Sequence, residues 1–240
     1  MAREERVGPV RQSVETARTQ KRYDRQAGLY DLVEVPIELL AFKWLRKTLW
    51  AEVHGAHVLE IGVGTGKNLS YHPHGAHSVA IDLSPRMLRR AASRARRLGG
   101  VVDLVLADAQ HLPFRDSAFD SAAATFVFCS VPDPIAGLEE VHRVVRDEGQ
   151  IHLVEHVRAR NPVMGRLMDL ANPIAVRLSG ANINRDTVSN VAKAGIALDS
   201  VESRSLGVVK LIRGSVQPRP SAQEEREKLS QEKVEDVARG

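Results

Sequence analysis

From His57 to Gly214 short apolar runs alternate with helical ones, and this alternation constrains the fold more than any other feature of the chain. An apolar run followed by a helix, repeated, builds a parallel sheet with helices on both faces and right-handed crossovers. Strands are expected at 57–61, 77–82, 102–107, 119–127, 149–157, 197–205 and 207–214, and helices at 66–71, 85–98, 134–147 and 186–195. Almost nothing separates the last two strands around Leu206 and Gly207, so they are expected to pair antiparallel at the end of the sheet. Ahead of the sheet, Ile37, Leu40, Ala41, Trp44, Leu45, Thr48 and Leu49 recur at spacings of three and four, an amphipathic helix that Pro36 can start. No internal repeat is visible.

The remaining composition sets boundaries. The 240 residues suit a single domain, expected over 21–214, with a flexible arm at 1–20 and a charged, disordered tail at 215–240 that holds almost no large apolar residue. No apolar run approaches the roughly 18 residues needed to cross a bilayer, and the first residues lack the apolar core of a secretory signal. A cytoplasmic protein is expected. Cys129 is the single cysteine, which excludes an internal disulfide and a multi-cysteine zinc site, and no metal is expected. A net charge of +4 permits attraction to phosphates or anionic lipid without naming a partner.

The run "HVLEIGVGTGKNL", 57–69, ends a strand in an acid, Glu60, and follows it with Gly62, Gly64 and Gly66. Glycines there permit positive φ and let a ligand approach the backbone. A dinucleotide fingerprint would need G-x-G-x-x-G, and a phosphate loop would need a glycine where Ile61 stands and a hydroxyl where Asn68 stands. Neither fits. Glu60 suits a cationic ligand better than a diphosphate, because a carboxylate can accept a charge-assisted hydrogen bond from an amino group.

"LEIGVGTG" resembles the first motif of the class I S-adenosylmethionine-dependent methyltransferases, and later segments agree in order and spacing. "VAIDLSPRML" resembles the end of the second strand, "LADAQHLPF" the loop after the third, "SAFDSAAATFVFCSVPDP" the fourth strand and its exit, and "EVHRVVRDEGQIHLVEHV" the helix, turn and fifth strand that follow. The resemblance covers about 21–214 and implies a Rossmann-like α/β fold: seven strands, mostly parallel with an antiparallel last strand, helices on both faces and an N-terminal helical lid. It implies S-adenosylmethionine as cofactor and S-adenosylhomocysteine as product. Asp82 would meet the ribose hydroxyls and Asp108, with Ala109 beside it, the adenine amine. Met87 would lie against the adenine as a polarizable filler. Gly62, Gly64, Gly66, Asn68, Leu83 and Thr125 complete the implied cofactor set with Glu60. The competing reading of Asp82 is a helix cap before "SPRML", a task Ser84 would do better.

The methyl acceptor is less constrained. The chain lacks the Asn/Asp-Pro-Pro-aromatic signature of base-modifying members, and its 4% aromatic content leaves few stacking platforms, so no nucleic-acid partner is expected. "VFCSVPDP", "VEHVRARNPVMGRLMDLANPIAVRLSGANINRDT" and "YDRQAGLYD" together resemble the peripheral bacterial phosphatidylethanolamine N-methyltransferases, more distantly the membrane-associated thiol methyltransferases, with the quinone-biosynthesis C-methyltransferases third. A lipid or small-molecule amine is the implied substrate, an anionic membrane surface the implied location, and a monomer the expected state. A binding protein without catalysis is the reading from another class.

An ammonium must lose its proton before nitrogen attacks a sulfonium methyl. His156, at the end of the fifth strand, is the first candidate acceptor, since imidazole ordinarily titrates near neutrality. Tyr23 is the second, and Tyr30 could orient the amine. An ordinary strand-end histidine and packing tyrosines are the competing readings. Arg185, with Asn182 and Asn184, offers a fork and amides for a lipid phosphate, against a helix start capped by Asn184 or Asp186. Cys129 reads as a small pocket residue, because methyl transfer from a sulfonium needs no covalent enzyme intermediate. Trp44 and Trp50, with Lys43, Arg46 and Lys47, read as an interfacial face, against a helix that packs on the sheet.

Overall fold

The computed structural model describes residues 13–27, 42–99 and 102–218. Within them lie strands β1 (His57–Ile61), β2 (His77–Asp82), β3 (Asp103–Leu106), β4 (Phe119–Thr125), β5 (Val145–His156), β6 (Ala197–Arg204) and β7 (Val209–Ser215). The helices are α1 (Val14–Gln26), α2 (Lys43–Trp50), α3 (Pro85–Leu98), α4 (Pro134–Val144), α5 (Pro162–Ser179) and α6 (Thr187–Lys193). The sheet order is β3-β2-β1-β4-β5-β7-β6. The first five strands pair in parallel, and β7 runs antiparallel to both β5 and β6. The chain winds outward from β1 to β3 and then returns to β4, so the carboxyl ends of β1 and β4 part around a crevice.

Successive strand side chains face opposite sides of a sheet, and this period divides the strand residues of the core between its two sides. Leu59, Ile61, Ala122, Ala124, Ile151 and Leu153 pack with Leu138, Val141 and Val144 of α4. Val58, Ala123, Val154 and Leu211 pack on the other side with Leu45, Leu49 and Trp50 of α2. By the same parity Glu60, Thr125 and His156 belong to the α2 side, and Glu155 to the α4 side. The helix starts use side-chain caps that satisfy orphan N–H groups. Ser84 accepts from Met87 N–H ahead of α3, Asp133 from Ile135 and Ala136 ahead of α4, and Asn161 from Val163 and Met164 ahead of α5.

Several elements differ from those the sequence predicts. The helix expected at 66–71 is only a 3-10 turn at Leu69–Tyr71, because Gly66, at φ +83°, and Pro73 bracket it too closely, and the segment folds back to bring Asn68 and His72 onto Glu60. β4 stops at Thr125, where Phe126 turns to φ +58°, and the helix expected to reach 147 ends at Val144, because β5 begins at the next residue. α5 occupies a stretch for which no element is expected. Its apolar residues follow helical spacing, but Pro173 interrupts the signature. Helix α1 crosses residue 20, where the arm was expected to end. Of the tail expected at 215–240, Ser215 belongs to β7 and Val216 is buried, while 219–240 lie outside the described residues.

The interfacial reading of the helix around 36–50 needs correction. Only its last part, α2, is described, and there Arg46 and Trp50 are buried with Leu45 and Leu49. Arg46 turns inward because the amide of Asn68 accepts from its guanidinium at 3.0 Å, leaving Lys43, Trp44 and Lys47 on the outside.

Gly149 sits where β5 bends out of its turn. A Cβ there would lie 2.5 Å from Val145 Cγ1 and 2.8 Å from the carbonyl oxygens of Arg146 and Asp120. Gly149→Ala is therefore expected to lower stability by about 1–3 kcal/mol through overpacking, read as a shifted urea midpoint at unchanged slope.

Candidate functional site

A cleft opens at the carboxyl ends of β1, β2 and β4. The glycine loop forms its floor, with Gly62 and Gly64 on the lining; Asp82, Leu83 and Met87 form one wall, and Ala107, Asp108 and Ala109 continue it. Thr125, Phe126, Val127, Ser130, Val131 and Pro132 form the facing wall, and α1 lays Thr19 and Tyr23 across the top.

The floor depends on backbone that only glycine adopts easily. Gly62 is at φ +69°, and a Cβ on it would lie 2.5 Å from Val127 Cγ2. Gly64 is at φ +55°, and a Cβ there would meet nothing within 4 Å, so bare backbone faces open space. Gly64 N–H donates to Asp82 Oδ2 at 2.8 Å, and Ser84 N–H to Asp82 Oδ1 at 2.8 Å. A carboxylate has about four lone-pair sites, so both oxygens keep acceptor capacity for a ligand. Burial pushes the Asp82 carboxyl up to about 6, against the lowering effect of those two backbone donors.

Behind the loop lies a second layer. The Glu60 carboxylate has no exposure; Oε1 accepts from Asn68 Nδ2 at 2.7 Å, and Oε2 lies 2.8 Å from His72 Nε2. Asn68 also donates to Thr125 Oγ1 at 3.2 Å, and Trp50 stacks on the His72 ring at 4.3 Å. One buried amide thus joins β1, β4 and α2.

The cover is tied at both ends. Asp24 Oδ1 accepts from Ser84 Oγ at 2.6 Å and Arg86 N–H at 3.2 Å, and Gln20 donates to the carbonyl of Leu83. Gln110, whose amide also binds the Asp108 carboxylate, reaches Thr16 Oγ1 at 3.2 Å. Burial raises the Tyr23 phenol well above its ordinary value while a hydrogen bond with Ser130 opposes the rise, so the hydroxyl stays protonated.

The exit from β4 is held on both of its polar edges. Glu155 Oε1 accepts from Val127 and Phe128 N–H at 2.8 and 2.9 Å, and Oε2 from Cys129 N–H at 3.2 Å. Burial pushes this carboxyl up to about 7. On the carbonyl side Asn182 N–H and Nδ2 donate to Cys129, and Arg185 Nη2 to Val131 at 2.8 Å. The Cys129 thiol is buried, and burial together with the nearby Glu155 raises it well above the thiol range.

Gly62, Gly64, Asp82, Leu83, Met87, Asp108, Ala109, Thr125 and Tyr23 therefore share one cleft. Met87 reaches it because Ser84, and not Asp82, caps α3. Glu60 and Asn68 stand behind the floor, as does Gly66, where an added Cβ would meet Ala91 and Leu69. Cys129, Asn182 and Arg185 hold the wall from behind, and Asn184 Nδ2 donates to Asp169 at 3.0 Å instead. The His156 ring stacks on Phe126 at 4.6 Å, one ring behind a lining residue. Tyr30 lies outside the described residues. Sequence reasoning passed over Thr19, Phe126, Ser130, His72 and Glu155. Of these only Glu155 leaves a trace in the sequence, as an acid inside the apolar run "IHLVEHV".

Comparison with known proteins places these motifs among methyltransferases. Residues 59–153 match the family described as "Methyltransferase domain". A phosphatidylethanolamine N-methyltransferase from Cereibacter sphaeroides is 36% identical over 121 residues, 49% of this chain and 60% of that protein, so the chain spans under two thirds of that relative's length. A demethylmenaquinone methyltransferase from Clavibacter sepedonicus is 34% identical over 202 residues, 72% of this chain and 80% of that protein. A solved Thermotoga maritima structure, titled an S-adenosylmethionine-dependent methyltransferase and "possible histamine N-methyltransferase", shares the fold with a TM-score of 0.63 at 21% identity, covering 83% of this chain and 100% of its own.

The buried amide of Asn68 gives a stability test. Asn68→Ala removes one donor from Glu60 and the amide oxygen that accepts from Arg46, and is expected to cost about 2–3 kcal/mol in denaturant unfolding. Asn184→Ala, at the exposed Asp169, is expected to leave the denaturant midpoint nearly unchanged in the same assay.

Proposed function

Because the chain belongs to the class I S-adenosylmethionine-dependent methyltransferases, we propose that it transfers the methyl group to a lipid amine, phosphatidylethanolamine or its partly methylated forms, at a membrane surface. The observation that carries this reading is the charge of the cleft: among the described lining residues the only charged side chains are the carboxylates of Asp82 and Asp108. A wall of acids and apolar groups favours two cationic ligands side by side and offers no cation to repel an ammonium. Similarity to the Cereibacter sphaeroides enzyme supports the choice of amine.

The residues fit the donor. Bare backbone at Gly64 permits close approach, Asp82 keeps acceptor sites for vicinal hydroxyls, Leu83, Met87 and Ala109 form an apolar slot for a flat base, and Asp108 offers an acceptor to an exocyclic amine. S-adenosylmethionine, when bound, supplies an electrophilic methyl on a positively charged sulfur. The chain's share is alignment, which alone contributes several orders of magnitude when nitrogen and methyl are held in line. Tyr23, neutral and over the cleft, orients the amine by a hydrogen bond and removes no proton. His156 lies behind Phe126, so the proposal gives it the positioning of that ring, and the amine proton leaves to water. Asn182 and Arg185 set the acceptor wall through the carbonyls of Cys129 and Val131. Among the described residues no helix is long and apolar enough to cross a membrane.

A second reading, methylation of a quinone-precursor ring carbon, is favoured by the 80% coverage of the demethylmenaquinone relative. Incubating the full chain with labelled methyl donor and either total lipid, a demethylated quinone or a small thiol separates these readings. Label on the lipid amine is expected. Label on a ring carbon or on sulfur would replace the proposal, and donor binding without any labelled product would leave a binding protein.

Donor affinity should also follow the ionisation of Asp82. Its folded value lies above the ordinary 3.8, at about 6. The ionised form accepts the ligand hydroxyls, so affinity is expected to fall as pH drops through about 6, while the ligand-free fold gains stability over the same descent toward 3.8. Asp82→Asn is expected to weaken donor binding by roughly 1–3 kcal/mol at pH 8 and to flatten that pH dependence in calorimetry.

A further inference from the structure

Helix α5 carries its large apolar residues on the outside. Val163, Met164, Leu167, Leu170 and Ile174 fall at spacings of three and four on one face, and each is at least 41% exposed, with Leu170 at 76%. The opposite face holds Met168 and Gly165, which are buried, and Asn172, whose side chain bonds Asn182 and Ile183. A globular helix normally buries its apolar stripe, so an outward stripe of this length marks an interaction surface.

The charges around the stripe choose its partner. At 100° per residue Arg166 and Arg177 line one edge of the stripe beside Leu170, both arginines are exposed, and neither has a partner among the described residues. The helix's one acid, Asp169, is held away from the stripe by Arg158, at 2.9 Å, and by Asn184. The face therefore combines apolar residues and free cations with no carboxylate, the composition of a helix that lies in a bilayer interface. A second copy suits it less, because a two-fold dimer would lay this face on itself and bring arginines together with no acid to meet them.

We propose that α5 is the membrane-docking element of this protein, lying in the headgroup layer of an anionic bilayer with Val163, Leu167, Leu170 and Ile174 inserted and Arg166 and Arg177 on lipid phosphates. The choice of occupant rests on the lipid-amine reading of the cleft. The two surfaces are connected: Asn172 of α5 bonds Asn182, and Asn182 bonds Cys129 in the loop that forms the acceptor wall. Docking thus places a bilayer beside the element that shapes the acceptor side.

The test uses the full chain and vesicles of equal phosphatidylglycerol and phosphatidylcholine, with pure phosphatidylcholine vesicles in parallel. Wild type is expected to co-sediment with the anionic vesicles, and Leu167→Ser/Leu170→Ser/Ile174→Ser to bind about tenfold more weakly or less. Arg166→Gln/Arg177→Gln is expected to weaken binding to the anionic vesicles at low salt and to leave pure phosphatidylcholine unaffected. The proposal is overturned if wild type does not co-sediment, or if the triple serine variant binds as wild type does. A wild-type dimer that the serine changes dissociate, without vesicle binding, would assign the face to a second copy; a large loss of stability without vesicle binding would assign it to packing within the chain. Methylation of detergent-dispersed lipid is read alongside. Vesicle binding without methylation would sink the lipid-amine reading and leave the docking element standing, and the converse result would do the reverse.

Discussion

The carboxylate of Glu60 has no contact with water, and its burial is the condition on which the arrangement of the cleft rests. Removing such a group from solvent costs several kcal/mol unless hydrogen bonds replace the lost hydration. Asn68 and His72 supply them, and both lie in the short segment that follows the glycine loop. The loop must therefore turn back toward β1 within a few residues, which it does through positive φ at Gly62, Gly64 and Gly66. Asn68 extends the demand to Thr125 and Arg46. The floor of the cleft, the last residue of β4 and the inner face of α2 are thus positioned by a single buried polar cluster.

A second constraint acts on the opposite wall. The segment after β4 has no regular partner for its backbone, so side chains complete it: Glu155 takes three N–H groups, and Asn182 and Arg185 take two carbonyls. Helix α1 closes the top with contacts to the turn after β2 and to the loop bearing Gln110. These ties are few and only partly buried, whereas the two walls are fixed by fully buried carboxyl groups. Segments with few buried contacts open first, so the cover is the element suited to admit ligands.

What the sequence revealed followed from periodicity and from backbone demands. Alternation of apolar residues located the strands, the three glycines located the floor, and Ser84 followed by Pro85 located the start of α3 and hence the place of Met87. The targets of long polar side chains were not legible. Arg185 and Asn182 read as donors in search of an anion, and donors they are, but the atoms they meet are carbonyls of a loop more than fifty residues earlier in the chain. His156 reads as a strand-end imidazole facing the cleft; the aromatic ring of Phe126, turned by an unusual φ, stands in front of it. Helix α5 was hidden for a related reason: its stripe faces outward and Pro173 breaks its signature, so the pattern matched no packed helix.

The lone thiol has a practical consequence. Cys129 is enclosed in the wall segment, with its N–H on Glu155 and its carbonyl on Asn182, and only the neutral form is favoured there. Reagents that need a thiolate reach it only when that segment detaches. With no other cysteine in the chain, the rate of alkylation is a built-in clock for the breathing of the acceptor wall, readable on the unmodified protein without introducing a label.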